Sequence, residues 1–195
     1  MLSLTLNKMA SAFTHAMVGV ALAQIAKPSW RRQGRFWVLV VFCSVLPDID
    51  VVGFRFGIHY GDLWGHRGMT HSLLFAAITG AALSTFLARS WRDRWPAALL
   101  LFVITASHGA LDALTNGGLG IAFFSPFNTN RYFFPWRPIQ VSPLAADRFF
   151  SERGLAILWT EIRSIWLPAL ITGGLLYRIS QQRQSPEKAA RRAQC

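Results

Sequence analysis

Hydrophobic and polar positions divide the chain into five long apolar runs, separated by short basic connections and one long aromatic connection. Runs of this kind predict helices that cross a membrane or enter it partly, although the first two are shorter than the roughly 20 residues of a full span. We therefore predict an all-α fold, a polytopic membrane helical bundle of about five transmembrane or partly inserted helices. The runs cover residues 10–26, 36–46, 71–88, 95–115 and 155–177.

Basic residues collect in the connections after the first and third runs and in the C-terminal segment from Arg178. Short loops with an excess of Lys and Arg face the cytoplasm. The first, third and fifth helices then run from outside to inside, and the connection 116–154 lies outside the membrane. We predict one membrane-embedded domain that holds a metal site, residues 1–180, followed by a basic cytoplasmic tail, residues 181–195.

The composition agrees with a membrane protein and not with a soluble one. Of the 195 residues 52% are hydrophobic and only 15% are charged, whereas soluble domains carry roughly 25% charged residues. The net charge of +11 would also suit a nucleic-acid-binding protein. The basic residues lie between apolar runs, however, as membrane topology requires. We therefore expect no nucleic-acid partner, and the oligomeric state stays open.

The long outer connection contains two aromatic segments, Phe123–Phe127 and Arg131–Trp136, each with a proline. Aromatic side chains with a wet edge are typical of the headgroup layer, so the simpler interpretation is an interfacial anchor. The alternative is a lid over a binding site, in which Arg131 or Arg137 binds a substrate phosphate.

Four short polar clusters flank the apolar runs and hold four of the five histidines. His and Asp are ligands of divalent metals, and membrane helices otherwise contain few of them. The orientation set by the basic loops brings all four clusters to the outer face, where we predict one metal site. Its candidate ligands are His15, Asp48, Asp50, His66, His71, His108 and Asp112.

Each cluster also has a simpler interpretation. His108 and Asp112 are four residues apart on one helix face, where they can chelate a metal or form a hydrogen-bonded pair inside a bundle. His15 alone is typical of a buried, hydrogen-bonded histidine, and the two aspartates of the second cluster are typical of a solvated helix end. Glu161 near the same face is a ligand, a base or an interface carboxylate.

Seven candidate ligands exceed the four of a closed structural zinc site. They suit two divalent ions about 3.5–4 Å apart, an arrangement that supports phosphoester and amide hydrolysis by metal-activated water. Zinc is the first candidate, with manganese or magnesium as alternatives. Asp50 and His71 are candidates for the catalytic base or leaving-group acid, and Arg67 for the catalytic cation that binds an anionic substrate.

The strings Thr14-His15, Pro47-Asp48-Ile49-Asp50, His66-Arg67-Gly68-Met69-Thr70-His71-Ser72 and His108-xxx-Asp112 resemble those of the YdjM-like family of bacterial inner-membrane proteins. The resemblance runs from about Ala10 to Tyr177 and is most specific in the His-Arg-Gly-x-Thr-His-Ser string. It implies a membrane-bound, metal-dependent hydrolase in the bacterial inner membrane, and it implies no particular substrate.

We therefore predict a multi-pass inner-membrane hydrolase, with its site facing the periplasm, that acts on a membrane lipid or lipid-linked substrate. The substrate is expected to bear a phosphate, which Arg67, Arg131 and Arg137 would bind. A metal or ion transporter is the first alternative, although it would need polar residues through the full depth of the helices. A non-catalytic membrane scaffold stapled by a metal is the second.

Overall fold

The computed structural model describes residues 12–140 and 159–183. In these two ranges the regular structure is helical and no strand forms. Backbone pairing outside helices is confined there to two isolated bridges, Thr115 with Ile139 and Ile121 with Tyr132. The predicted all-α class is confirmed for this part of the chain.

The first apolar run forms α1, Ala12–Leu22, which continues as one 3-10 turn, Ala23–Ile25. A short helix α2, Pro28–Arg31, begins at a proline, whose missing N–H costs nothing in a first turn. The second run forms α3, Gly34–Val45. From Leu46 to Phe56 the chain tightens into a 3-10 helix that contains Pro47 near its start. The α-helix therefore ends two residues before this proline.

Helices α4, Leu73–Leu87, and α5, Trp91–Ala113, form an antiparallel pair. The Ser72 hydroxyl caps α4 by accepting a hydrogen bond from the Phe75 N–H at 3.1 Å. Ser90 caps α5, which begins four residues before the predicted apolar run because the charged residues after the cap form its first turn. Among these, Asp93 is favoured beside the positive end of the helix dipole.

The last described segment enters a π-helical stretch, Ile162–Trp166, and continues as α6, Leu167–Gln182. Residues 155–158 of the predicted run lie outside the described residues, as do residues 184–195 of the predicted tail. Helix α6 runs parallel to α1. Thr14 contacts Glu161 at one end of the pair, and Arg31 donates to Ser180 at the other, at 3.0 Å.

Among the described residues, two helical segments are long and apolar enough to cross a membrane, Gly34–Phe56 with a mean hydropathy of 1.9 and Trp91–Ala113 with 1.4. The apolar helices Ala12–Ile25 and Leu73–Leu87 are shorter. The number of spans and the external position of the aromatic loop stay predictions.

The apolar core lies between α1, α3, α4 and α5, and its fully buried members include Phe36, Val40, Leu101 and Ile104. Helices α1 and α3 approach most closely at Gly19, where a Cβ atom would lie 1.9 Å from the Ser44 Oγ. One turn before Gly19 the same interface becomes polar. Buried histidines and aspartates replace the aliphatic side chains there.

Candidate metal centre

Four buried or nearly buried side chains point ligand atoms at one another at the end of α5. His108 and Asp112 lie on one face of α5, Asp48 lies in the 3-10 helix after α3, and His71 ends the 3-10 turn before α4. Their ligand atoms all lie within 4.8 Å of one another. The structure therefore contains a His/Asp group that can hold a metal ion.

The spacing of these atoms fits a divalent ion. His108 Nε2 lies 3.3 Å from Asp48 Oδ1, and His71 Nε2 lies 3.7 Å from the same oxygen. Asp112 Oδ2 lies 3.6 Å from His71 Nε2 and 3.9 Å from His108 Nε2. A tetrahedral ion with bonds of about 2.0–2.2 Å holds its ligand atoms about 3.3–3.6 Å apart.

Hydrogen bonding within the group does not satisfy these atoms. In the described part of the chain, Asp48 Oδ1, His71 Nε2 and His108 Nε2 are buried and make no hydrogen bond. Buried polar atoms are normally satisfied, because an unpaired one costs roughly 1–3 kcal/mol. Three such atoms facing one point are therefore a strong structural sign of a cation site.

The remaining ring nitrogens of the two histidines are held by the protein. His108 Nδ1 lies 2.7 Å from the Ser44 carbonyl oxygen, to which it donates. His71 Nδ1 lies 3.2 Å from Asp50 Oδ2. A proton on each Nδ1 leaves the Nε2 lone pair directed at the group, which is the arrangement that metal-binding histidines use.

Asp50 is the centre of a hydrogen-bond network and not an open ligand. Its Oδ1 accepts from His66 Nδ1 at 2.8 Å. Its Oδ2 accepts from the Thr70 hydroxyl at 2.6 Å and from the Arg67 backbone N–H at 3.2 Å. Asp50, His66 and His71 form a second group of potential metal ligands, but both carboxylate oxygens already bind donors. The network fixes His66 and His71 relative to each other.

His15 reaches the centre from α1. Its Nε2 lies 3.6 Å from Asp112 Oδ1, the carboxylate oxygen that faces away from His71. Neither His15 ring nitrogen makes a hydrogen bond to any other described residue, although the side chain is 99% buried. His15 belongs to neither group of potential metal ligands, so its role as a ligand stays a prediction, and the hydrogen bond of an ordinary core histidine is absent among the described residues.

Arg67 is fully buried and forms an ion pair with Asp112. Its Nε lies 3.2 Å from Asp112 Oδ2, and its other nitrogens donate to Thr115 Oγ1 at 3.1 Å and to the Gly117 carbonyl at 2.7 Å. The residue has a φ of 64°, a left-handed conformation that few non-glycine residues adopt. This turn directs the guanidinium inward, where it offsets the charge of Asp112.

Gly118 leaves room for that guanidinium. A Cβ atom at this position would lie 2.6 Å from Arg67 Nη1 and 2.6 Å from the Tyr60 hydroxyl. The φ of Gly118 is also positive, at 84°, which disfavours other residues. Burial raises the pKa of the Tyr60 phenol. The phenol therefore stays protonated beside the guanidinium at neutral pH.

The aromatic loop packs directly over the centre. The Ala122 N–H donates to the Arg67 carbonyl at 3.1 Å, and the Leu73 N–H donates to the Phe123 carbonyl at 2.9 Å. Further along the loop, the Phe134 N–H donates to the Ala113 carbonyl at 3.0 Å. These bonds join the loop to both sides of the centre, so its described part forms a cover.

The other two predicted phosphate-binding arginines differ in their surroundings. Arg131 is half-buried and donates to the carbonyls of His66, Tyr60 and Asp62 at 2.9, 3.0 and 3.3 Å. Burial lowers the pKa of its guanidinium. Arg137 is exposed and lies 4.8 Å from the centroid of the Phe133 ring. Arg131 therefore fixes the loop, and Arg137 faces outward.

Glu161 lies beside the centre without joining either group of potential metal ligands. It is buried and accepts a hydrogen bond from Thr14 Oγ1 at 2.8 Å, and Thr14 in turn accepts one from Trp166 Nε1 at 2.8 Å. Since Thr14 precedes His15, this chain of bonds attaches the first turn of α1 to the π-helical stretch.

Sequence reasoning missed three residues that position the centre. The sequence offers both Thr70 and Ser72 as caps of the following helix; Ser72 is the cap, and Thr70 donates to Asp50 instead. Tyr60 lies outside the polar clusters and carried no signal. The Ser44 carbonyl that holds His108 is a backbone group, so the identity of the residue cannot reveal it.

Comparison with known proteins agrees with this assignment to a membrane protein. The family model described as YdjM inner membrane protein matches residues 9–185. The chain belongs to the YdjM inner membrane protein family. The inner membrane protein YbcI of Escherichia coli (strain K12) is 37% identical over 142 residues, which cover 70% of this chain and 80% of that protein. No solved structure matches the chain.

Membership of the YdjM family places the His/Asp centre in an inner membrane protein. Buried ionisable side chains are costly in a membrane and mark functional sites in most membrane proteins. Here the buried His, Asp, Glu and Arg side chains of the described residues are His15, Asp50, His66, Arg67, His71, His108, Asp112 and Glu161. They all lie toward the same end of the helices.

Proposed function

We propose that this YdjM-family protein is a metal-dependent hydrolase of the inner membrane that acts on a phosphate-bearing lipid at the periplasmic face. The observation that carries the proposal is the convergence of Asp48, His71, His108 and Asp112, whose inward atoms have the spacing of metal ligands. A divalent ion bound there would act as a Lewis acid and lower the pKa of a coordinated water.

The donor arrangement favours one ion in this four-residue group over the two that seven candidate ligands suggest. Asp50 already accepts hydrogen bonds from His66, Thr70 and the Arg67 backbone, so a second ion on Asp50 would have to displace them. Outside the four-residue group, both His15 ring nitrogens and His66 Nε2 are buried without a hydrogen bond among the described residues, and His15 faces Asp112 from the other side. Zinc suits the mixture of imidazole and carboxylate ligands best.

Each residue of the centre then has a definite task. The Ser44 carbonyl and Asp50 hold the imidazoles of His108 and His71 in the orientation that presents Nε2. Arg67 stabilises the buried Asp112 carboxylate and keeps it in place. We accordingly assign Arg67 a positioning role first, because its full burial leaves no surface for a substrate.

Access to the centre is best at Asp48. Its side chain is 16% exposed, whereas those of His71, His108 and Asp112 are completely buried. The neighbouring Ile49 is 57% exposed. An apolar surface beside a partly open carboxylate suits a substrate that approaches from a lipid layer, with its polar bond at the metal and its hydrocarbon against the helices.

Transport of ions across the membrane has less support. An ion path needs polar or ionisable groups through the depth of the bundle. In residues 12–140 and 159–183 the buried His, Asp, Glu and Arg side chains stay at one end, and the interior between α3 and α5 beyond Ser44 is apolar except for Cys43 and for Thr105, whose hydroxyl donates to the Leu101 carbonyl.

The test is an assay of purified protein with a panel of phospholipids and polyprenyl phosphates, with added zinc and with chelator. We expect phosphate-containing products with zinc, their loss with chelator, and their loss in Asp48→Asn. His59→Ala is the matched control, because the His59 side chain is exposed and belongs to neither ligand group. Cleavage of ester or amide substrates alone would refute the phosphoester assignment, and zinc uptake by proteoliposomes without cleavage would establish transport.

A further inference from the structure

A second feature of the bundle, separate from the metal centre, is a groove on the α6 side. It encloses about 290 Å³ between α1, α5, α6 and the loop residues Trp136–Ile139. Ligand sites in proteins begin at about this volume, near 300 Å³. Most of the lining is apolar, with Val18 and Leu22 from α1, Leu111 and Leu114 from α5, and Ile165 and Ala169 on the α6 side.

The lining of the groove suits hydrocarbon better than water. Backbone and side-chain polar groups contribute little to its wall, where Ser164 and Thr172 provide the hydroxyls. Water gains few hydrogen bonds in a cavity of this kind, whereas an acyl chain gains dispersion contacts along its whole length.

Two exposed arginines lie next to the wall of the groove. Arg137 stands between Trp136 and Pro138, and both of these neighbours line the groove. Arg163 precedes Ser164, which lines it from the π-helical stretch. Trp136 is 69% exposed at this rim, as expected of an indole in the headgroup layer. The groove thus has an apolar interior, an exposed indole at its edge, and an exposed arginine adjacent in the chain to its wall at two places.

We propose that this groove is a binding site for an anionic phospholipid, with one acyl chain between α1 and α6 and the phosphate at Arg137 and Arg163. Guanidinium groups bind phosphate oxygens through paired hydrogen bonds, so the two arginines should favour an anionic lipid over a zwitterionic one. The site does not depend on the proposed hydrolysis, since it uses none of the metal-centre residues.

Lipid binding tests the groove without any turnover. Purified protein is titrated with phosphatidylglycerol or phosphatidylcholine, and the bound lipid per chain is counted by native mass spectrometry. Thr172→Phe places an aromatic ring in the groove. Ile171→Phe adds the same ring at the neighbouring position of α6, where the side chain is 66% exposed and does not line the groove.

We expect one phosphatidylglycerol to bind more tightly than phosphatidylcholine, and Thr172→Phe to weaken it at least about tenfold. Ile171→Phe should bind it like the unchanged protein. The double variant Arg137→Gln, Arg163→Gln should lose the preference for phosphatidylglycerol, whereas Arg178→Gln at the other end of α6 should keep it.

Equal binding by the Thr172 and Ile171 variants would overturn the groove as the site. Equal affinity for both lipids in the unchanged protein would overturn the anionic preference. Hydrolysis has no bearing on either result, so protein that retains the lipid without cleaving it supports the groove, while the proposed hydrolysis is decided by the separate assay with the full lipid panel.

Discussion

The imidazoles of His15 and His108 stack on each other, with ring centroids 3.7 Å apart and ring planes 14° from parallel. The stack joins α1 to α5 at the metal centre. It also places one Nε2 near each oxygen of the same carboxylate, since His15 faces Asp112 Oδ1 and His108 faces Asp112 Oδ2. Asp112 therefore lies against histidines from α1, from α5 and from the 3-10 turn before α4.

The amount of bound metal should depend on the four-residue group of Asp48, His71, His108 and Asp112. Asp112→Ala and His108→Ala should each remove most of the bound metal, because each deletes an inward-facing ligand atom. Elemental analysis of the purified variants measures the stoichiometry, with His59→Ala as the control. Full metal content in both centre variants would contradict the assignment of these residues as ligands.

Asp50→Asn distinguishes one ion from two. If Asp50 only orients His66 and His71, the variant should keep its stoichiometry while the affinity for zinc falls about 10–100-fold. Zinc titration with a competing chelator measures both quantities. A drop from two ions per chain to one would instead show that Asp50 is a ligand of a second ion.

Some of this centre was predictable and some was not. The four-residue spacing of His108 and Asp112 shows that they share a face of α5, and Pro47 indicates an irregular segment at Asp48. Their partners depend on the packing of distant segments. The guanidinium of Arg67 turns inward because of a positive φ, and the orientation of His108 depends on a carbonyl 64 residues earlier. Residue type and spacing carry no signal for either.

Removing Arg67 should destabilise the metal-free protein. Arg67→Leu leaves the buried Asp112 carboxylate without its cation, and breaking a buried pair in this way costs about 3–5 kcal/mol. Thermal unfolding in detergent, followed by circular dichroism with chelator present, measures the change. Arg137→Gln, at an exposed position, should unfold like the unchanged protein. Similar unfolding temperatures for the two variants would show that Arg67 does not stabilise Asp112.

The topology follows from the basic connections and can be measured directly. A reporter fused after Arg183 should give a cytoplasmic signal, and one inserted after Asn128 in the aromatic loop should give a periplasmic signal. The opposite pair of signals would turn the metal centre toward the cytoplasm and exclude a periplasmic substrate.

The close contact between α1 and α3 at Gly19 should affect zinc binding at the metal centre. Gly19→Ala would place a methyl group 1.9 Å from the Ser44 Oγ, so α1 and α3 must separate or Ser44 must move. Because the Ser44 carbonyl holds His108 Nδ1, and His15 lies one turn from Gly19, the displacement reaches both stacked histidines. We therefore expect Gly19→Ala to weaken zinc binding, although Gly19 contains no ligand atom.

The matched control is Gly174→Ala on α6, where a Cβ atom would have no neighbour within 4 Å. This substitution should leave zinc affinity unchanged and should stabilise the helix by roughly 0.5–1 kcal/mol, since alanine loses less backbone entropy than glycine. Zinc titration and thermal unfolding of the two variants separate the effects. Wild-type zinc affinity in Gly19→Ala would contradict the prediction, because it would show that α1 and α3 accommodate the methyl group without displacing His108.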